Sequence, residues 1–456
     1  KYGGAFYLQN VRNTSFSHSI FKSNYAKEGG GLYLNTGLFF IVSNSQFLNN
    51  TADKGAGLLL TELQYLSGTS STFCGNEALD KHGGAVYFNG KTVSWGPNNL
   101  IINNKAKAMG GGFYIKGTMP NSNAILFHSK FGKNEGGMNG AALHIESVRY
   151  ISVEYIDFSF NIAAKMAGAM SVFLSHTGTS SVNILNSVFV GNSGRETATT
   201  LIISGVTKLN FVNSKLDNSN SQSSKDTADT AIIFHAATIL IENTKFINIT
   251  NQDKIIQLNS KMKSELKSVQ FRCQFHTFLK ETLLTEYSEQ CWSDPNCYSR
   301  RLQYKCMLCK DGYYTIHSDD WIVDDKSTTH QQTIQQKFSL DVCHECPPKG
   351  RCKAGKIVSL PNYWGSIVNQ KIIFLKCLPE YCCQKSPCSS FDICNTGRHG
   401  TLCAKCNQNF SLALKSYQCL PKDKCDSSKI LYFLLLSSII YSFFLFFDND
   451  LQGIVI

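Results

Sequence analysis

Short runs in which apolar and polar residues alternate recur along the first half of this 456-residue chain. The clearest run starts with glycines and continues as a strand, as in GGAVYF from Gly83. Its fourth and sixth residues are apolar in every copy, a period of two that predicts a β-strand with one buried face. Copies of this run begin at Gly3, Gly29, Gly55, Gly83, Gly110, Gly140 and Ala167, and weaker copies without the glycines begin at Leu201, Ile232 and Ile256.

The copies return with a nearly constant period, which indicates a repeat architecture. The last apolar position moves from Leu8 to Leu34 and then to Leu60, in two steps of 26 residues. A Phe-x-x-Asn motif, such as FLNN from Phe47, alternates with the glycine motif at the same period. Such self-similarity is typical of a solenoid, in which each coil packs only on its neighbours. We therefore predict that residues 1–272 form an all-β, right-handed parallel β-helix, a pectin-lyase-like solenoid of about ten coils.

Two other repeat folds fit the sequence less well. Leucine-rich repeats have a similar period but need an LxxLxLxxN core, which is missing here. The calcium-binding β-roll needs an Asp in its glycine-rich signature, and every copy of the motif lacks it.

Polar residues beside the phenylalanines also recur in columns. We interpret these columns as turn residues that stack on one another and share backbone hydrogen bonds. One column holds Asn44, Asn186, Asn213 and Asn243, and the other holds Ser45, Ser71, Ser129, Ser187, Ser214 and Thr244.

The two alternating motifs resemble the repeats of the chlamydial polymorphic outer membrane proteins, and similar repeats occur in large surface proteins of protists. The resemblance covers the chain from its first residue to about residue 250 and does not extend to the C-terminal part. It implies a β-helical region that is displayed on a cell surface, commonly for adhesion.

A cysteine-rich segment follows the repeats. Of the 18 cysteines, only Cys74 precedes Cys273. This density is typical of a small disulfide-stapled region made in an oxidising compartment, and the odd number in the segment leaves one cysteine over. Units such as CMLCKDGYY from Cys306 resemble those of ephrin-receptor-like and EGF-like extracellular modules. We expect disulfides among Cys306, Cys309, Cys343, Cys346, Cys352, Cys403, Cys406, Cys419 and Cys425.

Zinc is the competing interpretation of these cysteines, because C-x-x-C pairs lie near His344 and His399. The two halves of a structural zinc site are usually separated by roughly 15 to 20 residues. The 33 residues between Cys309 and Cys343 exceed that spacing. We therefore favour disulfides and expect neither a bound metal nor a cofactor.

Residues 430–447 carry no charge and are apolar and long enough to span a bilayer. The lysines before them, among them Lys429, would place the N-terminal side in the cytoplasm, whereas the cysteines require an oxidising, extracellular location. We give the cysteines more weight. The absence of an initiator Met and the start within a repeat suggest a fragment of a longer membrane protein. The predicted organisation is a β-helix at 1–272, a cysteine-rich extracellular module at 273–428, a transmembrane helix at 429–447 and a short tail at 448–456.

Charge excludes one class of partner. The net charge of +11 is spread evenly, without the basic run or aromatic-basic pattern of a nucleic-acid surface. We therefore expect an integral membrane protein that binds no nucleic acid. Glycosylation sequons that fit a secretory route occur at Asn13, Asn49, Asn248 and Asn409.

The fifth residue of the glycine motif points away from the core and is often tyrosine. Exposed aromatic rows mark recognition surfaces, although stacking between coils is the alternative interpretation of such a row. We predict a non-catalytic protein of the cell membrane with its N-terminal region outside, whose β-helix serves adhesion or recognition of an extracellular protein or carbohydrate. The candidate ligand-binding residues are Tyr7, Tyr33, Tyr87 and Tyr114.

A membrane-tethered polysaccharide lyase or hydrolase is the alternative function. Enzymes that hydrolyse polysaccharides use pairs of carboxylates. The nearest arrangement here is Glu154 and Asp157 on one coil with Lys130 one coil earlier. A lysine and a carboxylate in register on neighbouring coils are more often a surface ion pair, so we assign no catalytic residue.

Overall fold

The chain is described here by a computed structural model, in which strands dominate. The structure describes residues 2–118, 121–174, 179–194, 198–217, 230–249, 254–273, 277–287, 298–316, 320–323, 343–369, 371–412, 416–422 and 427–451.

The predicted parallel β-solenoid is confirmed, and it makes about nine turns. Its longest sheet stacks one strand from each coil on the strand of the next coil, all parallel and in register, so that Phe6 pairs with Leu32 and Leu32 with Leu58. These strands are Phe6–Ser17, Leu32–Ser43, Leu58–Thr69, Val86–Trp95, Phe113–Gly117, Leu143–Glu146, Met170–Phe173, Ala198–Val212, Thr230–Glu242 and Lys254–Lys267. In three coils a second strand continues the same layer, at Asn123–Phe127, Tyr150–Glu154 and Ser181–Leu185.

Two shorter sheets complete each coil. The Phe-x-x-Asn motif and its degenerate copies supply the second sheet, whose strands are Ile20–Lys22, Gln46–Leu48, Thr72–Cys74, Leu100–Ile102, Lys130–Gly132, Asp157–Ser159, Val188–Val190, Lys215–Asp217, Lys245–Ile249 and Val269–Cys273. The strand Asp320–Val323 pairs with Val269–Cys273 in antiparallel fashion. Two-residue strands form the third sheet, at Thr51–Ala52, Glu77–Ala78, Lys105–Ala106, Glu135–Gly136, Ile162–Ala163 and Ser193–Gly194.

The first glycine of the motif turns the chain into the long strand. Gly29 has φ of +65°, and a Cβ there would lie 2.8 Å from the carbonyl oxygen of Leu32. Left-handed backbone and this close approach both exclude a larger side chain. The asparagine column that begins at Asn44 has the same left-handed backbone, with φ of 47° at Asn44 and 46° at Asn243. These asparagines are turn residues, as predicted.

Stacked aromatic rings fill the core. The rings of Phe21, Phe47 and Phe73 are stacked nearly parallel, with ring centres 4.5 Å apart from one coil to the next. Ile101 occupies the next place in this column, and the fully buried Trp95 packs beside it against Phe73. Burial of such columns supplies the main stabilising free energy of a solenoid.

A buried amide ladder runs through the interior, formed by the asparagine of the Phe-x-x-Asn motif. Both the backbone N–H and the side-chain Nδ2 of Asn50 donate to Oδ1 of Asn76, at 3.1 and 2.9 Å, and Nδ2 also donates to the carbonyl of Phe21. Every donor and acceptor of the amide is therefore satisfied without water, as burial requires. The ladder members are Asn24, Asn50, Asn76, Asn104, Asn134, Asn161 and Asn192.

The last parallel strands of the solenoid, Lys254–Lys267 and Val269–Cys273, are followed by antiparallel strands that pair with them. Two antiparallel strands, Thr277–Tyr287 and Tyr298–Leu308, continue the long sheet, and the Cys273–Cys306 disulfide lies in the same core. The chain divides into two compact units, the first reaching Leu308 and also holding residues 317–339, the second holding residues 309–316 and 340–456.

Small two-stranded antiparallel sheets build the second unit. They pair Tyr313–Tyr314 with His344–Glu345, Gly350–Lys353 with Lys356–Ser359, Tyr363–Val368 with Lys371–Lys376, Arg398–His399 with Lys405–Cys406, and Phe410–Leu412 with Cys419–Pro421, and a 3₁₀ turn spans Thr401–Cys403. One small apolar cluster forms around Tyr314, whose hydroxyl accepts from the backbone N–H of Ile372 at 2.7 Å. The clusters are small, so covalent bonds must hold this unit.

In the part of the chain that the structure describes, one α-helix, α1, spans Ser427–Leu451 and contains the predicted span 429–447. Its described side chains, residues 431–444, are all exposed and mostly large and apolar. Across the described residues, no helix reaches the combination of length and apolarity that a membrane crossing requires.

Candidate functional site

The candidate tyrosines form one continuous column on the outer side of the long sheet. Pairing in register places Tyr7 beside Tyr33, and Tyr87 beside Tyr114, with Leu59 between the two pairs. His144 and Ser171 continue the column on the next coils. The sequence pattern therefore gave the correct direction for these side chains.

The expected exposure of the tyrosines is wrong for three of the four. Tyr33, Tyr87 and Tyr114 are 9%, 6% and 4% exposed, whereas Tyr7 is 42% exposed. The three buried tyrosines form, together with Leu59, a second apolar cluster outside the main core. Only Tyr7 has a ring surface that a ligand could reach directly.

Loops that precede the glycine motif cover this column. Lys54 holds its Nζ 3.9 Å from the centre of the Tyr87 ring, a cation–π contact. His82 stacks on Tyr114 with ring centres 4.4 Å apart, and Met109 packs against the same cluster. Through these contacts the tyrosines pack the loops against the sheet. Stacking between coils explains why tyrosine recurs in the column.

Burial keeps the ionisable rings of this column neutral. It raises the pKa of Tyr87 to about 12 and lowers the pKa of His144 to about 3. The pKa of His82 falls to about 4, mainly through burial and further through the charges on Lys54 and Lys116. At neutral pH the column therefore carries hydroxyls and neutral imidazoles.

One ion pair beside the column escaped the sequence analysis. Lys116 Nζ lies 3.7 Å from Glu146 Oε1, with both side chains partly exposed, and burial raises the pKa of Glu146. The two residues face each other because Lys116 pairs in register with Glu146 on the next coil. They stand two positions after Tyr114 and His144, so the outward alternation of the strand was the signal that could have found them.

The carboxylates considered for catalysis are engaged in other contacts. Asp157 Oδ2 lies 3.0 Å from Lys130 Nζ, and the two side chains are 42% and 51% exposed. Glu154 Oε1 accepts a 2.6 Å hydrogen bond from the Ser152 hydroxyl. The predicted register of Lys130 with Asp157 on neighbouring coils is correct.

Most of the cysteine candidates are paired in disulfides. The bonds are Cys273–Cys306, Cys309–Cys343, Cys346–Cys352, Cys377–Cys382, Cys383–Cys388, Cys394–Cys403 and Cys406–Cys419. No C-x-x-C pair closes on itself, and the thiolates that a zinc site would need are consumed. Cys74 is free, and Cys425 lies outside the described residues.

Three of the sequon asparagines have described side chains, and all three are exposed: Asn13, Asn49 and Asn409. Asn13 lies within the strand Phe6–Ser17, and Asn49 follows the strand Gln46–Leu48. The side chain of Asn248 lies outside the described part of the structure.

An exposed apolar patch of the solenoid lies further along the long strand Leu32–Ser43. Leu38, Phe39 and Ile41 are 44%, 47% and 43% exposed. Phe39 pairs in register with Tyr65, and their rings are 5.7 Å apart. We call these four residues the apolar strip; sequence analysis missed it because it belongs to no repeated motif.

Comparisons of the chain with protein-family models, with curated proteins and with solved structures find no match.

Proposed function

We propose that this chain is the extracellular, non-catalytic recognition region of a cell-membrane protein, in which the solenoid presents a binding surface and α1 provides the anchor. The observation that carries the proposal is the order of the parts. Among the described residues, a solenoid whose free cysteine is Cys74 is followed by a disulfide-stapled unit and then by a helix whose apolar side chains at 431–444 are exposed.

The disulfides support the extracellular side. Most of the described bonds close short loops inside a unit with little apolar core, so the bonds are structural and must survive where the protein works. Structural disulfides persist outside the cell and are rare in a reducing cytosol. This argument favours an outside location over the contrary signal of the lysines that flank α1.

The surface of α1 supports the membrane anchor. Residues 430–447 contain 18 uncharged side chains in sequence, about the length that crosses a hydrocarbon core of roughly 30 Å. Ser437 and Ser438 donate their hydroxyls to the carbonyl oxygens of Leu434 and Leu435, both at 2.8 Å. Polar groups satisfied within the helix are compatible with lipid.

Extraction of membranes tests the anchor. Full-length chain in cell membranes should stay in the pellet after alkaline carbonate treatment, because an apolar span is held by lipid. The double variant Leu435→Arg/Ile439→Arg should be released. Leu378→Arg, a matched change at an exposed site outside α1, should stay in the pellet. Release of the unmodified chain would refute the proposed anchor.

The resemblance to polymorphic outer membrane protein repeats and the right-handed, pectin-lyase-like winding belong to the same proposal. Crossovers between parallel strands are right-handed in the great majority of proteins, which supports that winding. Surface display for adhesion follows from the resemblance.

A carbohydrate-active enzyme is the second candidate, and one observation favours it. Lys116 and Glu146 supply a cation and a carboxylate with a raised pKa on adjacent coils, beside the tyrosine column. Cleavage of a polysaccharide panel by the full chain, lost in Glu146→Gln and kept in Glu154→Gln, would establish this function in place of the recognition role.

A further inference from the structure

The apolar strip lies directly beside a glycosylation sequon. Asn13 pairs in register with Phe39, and Phe39 with Tyr65, so the three residues occupy one row on three successive coils. Neighbouring strands lie about 4.8 Å apart. Thr14 pairs with the fully buried Phe40, so Asn13 points outward on the same face as Phe39.

Beyond Tyr65 the row is polar for two coils before it reaches the exposed Tyr150. After Tyr65 the row continues with Thr92 and Asn123. In the row of Ile41, Ser15 precedes and Ser67 and Ser94 follow. In these two rows the positions directly beside the strip are polar, so the strip is a local apolar patch next to the sequon that fits the apolar face of an occupant.

We infer that an N-linked glycan on Asn13 is that occupant, with its first N-acetylglucosamine lying over Phe39 and Tyr65. A pyranose ring presents a face of C–H bonds that packs on an aromatic ring, while its hydroxyls stay in water. The ring is about as wide as the spacing between neighbouring strands. A sugar joined to the Asn13 amide therefore reaches Phe39 without any change in the backbone.

The covalent bond places the sugar next to its binding site. Asn13 lies in an Asn-Thr-Ser sequon and its side chain is exposed, as the modification requires. Because the glycan is tethered, it pays little of the association entropy that a free sugar would lose. The glycan covers the apolar surface and presents polar hydroxyls to water, so the strip is the surface on which a structural glycan packs. This inference rests on the proposed secretory route.

Hydroxyl-radical footprinting of the full chain tests the inference. The chain is directed into the secretory pathway of a glycosylating cell, purified in detergent, and compared with Ser15→Ala, which destroys the sequon and keeps Asn13. Phe39 and Tyr65 should be at least threefold less reactive in the glycosylated chain. Tyr155, which is 51% exposed on a later coil, is the control and should react equally in both. Trimming to a single N-acetylglucosamine should preserve the protection.

A thermal-unfolding cycle gives the second measurement. Removing the sequon should lower the unfolding midpoint by roughly 2–3 °C when Phe39 is present and leave it unchanged in Phe39→Ser. Equal effects in both backgrounds would overturn the inference.

The outcomes separate this inference from the proposed function. Glycan on Asn49 or Asn409 but not on Asn13 overturns the inference alone, as does a glycan on Asn13 that leaves Phe39 equally reactive. Protection that persists in Ser15→Ala together with a dimer assigns the strip to a second copy of the chain and also overturns it. A chain that carries no glycan at any sequon contradicts the secretory proposal as well.

Discussion

Acid should destabilise the solenoid through one buried histidine. His144 is 2% exposed and stacks on Tyr114, with ring centres 5.3 Å apart. Its Nδ1 lies 2.6 Å from the hydroxyl of Ser171. Burial lowers its pKa from 6.5 to about 3, and the neighbouring His82 adds to that shift. Between these two pKa values His144 is therefore neutral in the folded chain and protonated in the unfolded chain.

The sign and size of the effect follow from this difference in pKa. Since the folded pKa lies below the unfolded value, stability is complete above pH 6.5 and is lost as the pH falls toward 3. Each pH unit in that window costs about 1.4 kcal/mol of the free energy of unfolding. Between pH of about 7.5 and about 4.5 the loss from this residue is roughly 2.5 kcal/mol.

Urea unfolding of the full chain in detergent, followed by circular dichroism of the strands, measures this loss at the two pH values. The variants His144→Tyr and His144→Leu place in the column residues that it already contains, as at Tyr114 and Leu59. Carboxylates titrate equally in all three chains, so the difference between variant and parent isolates the histidine. The exposed His18, changed to Gln, is the matched control.

The parent should lose roughly 2.5 kcal/mol more than either His144 variant, while His18→Gln should follow the parent. Equal pH dependence of parent and His144 variants would refute the reasoning. The covered column would then be open to water and protons, and the burial of the tyrosines would need to be reconsidered.

Three further outcomes are expected. Asn104→Ala should lower the free energy of unfolding by roughly 3 kcal/mol or more, because its buried partners in the ladder lose their hydrogen bonds. Asn24→Ala, at the half-buried end of the ladder, should lower it by less than about 1.5 kcal/mol. Equal losses measured by urea unfolding would contradict the ladder. Lys130→Ala and Asp157→Ala should each change the free energy of unfolding by less than about 1 kcal/mol, since the pair is exposed, and a larger change in the same assay would contradict a simple surface pair. Reduction should make residues 343–422 sensitive to protease while the solenoid strands persist in circular dichroism, and joint loss of both would show that the disulfides hold the solenoid too.

The inward columns were predictable because they depend on local alternation. A period of two within each repeat fixes which side chains face the core, so the phenylalanines from Phe47 onward and the strand register followed from the sequence alone. The turn asparagine Asn44 was also recognised, because left-handed backbone favours asparagine.

The buried tyrosines were not predictable in the same way. Alternation gave the outward direction of Tyr87, but exposure depends on what lies above the ring. The cover comes from Lys54 on the preceding coil, a contact that no period encodes. The interior amide ladder was missed for a related reason, because Asn44 and Asn50 both recur beside the phenylalanines and only packing shows which one is buried.

Thiol labelling of intact cells tests the central claim that the disulfide-stapled unit lies on the extracellular side of a membrane in which α1 is the anchor. The cells carry the full chain and are treated with a membrane-impermeant maleimide, with and without prior treatment by an impermeant reductant. The account predicts that, in cells that are not permeabilised, the cysteines from Cys309 to Cys419 label weakly before reduction and strongly after it. Cysteines that label only after permeabilisation, and do so without reduction, would contradict the extracellular location and the recognition function with it.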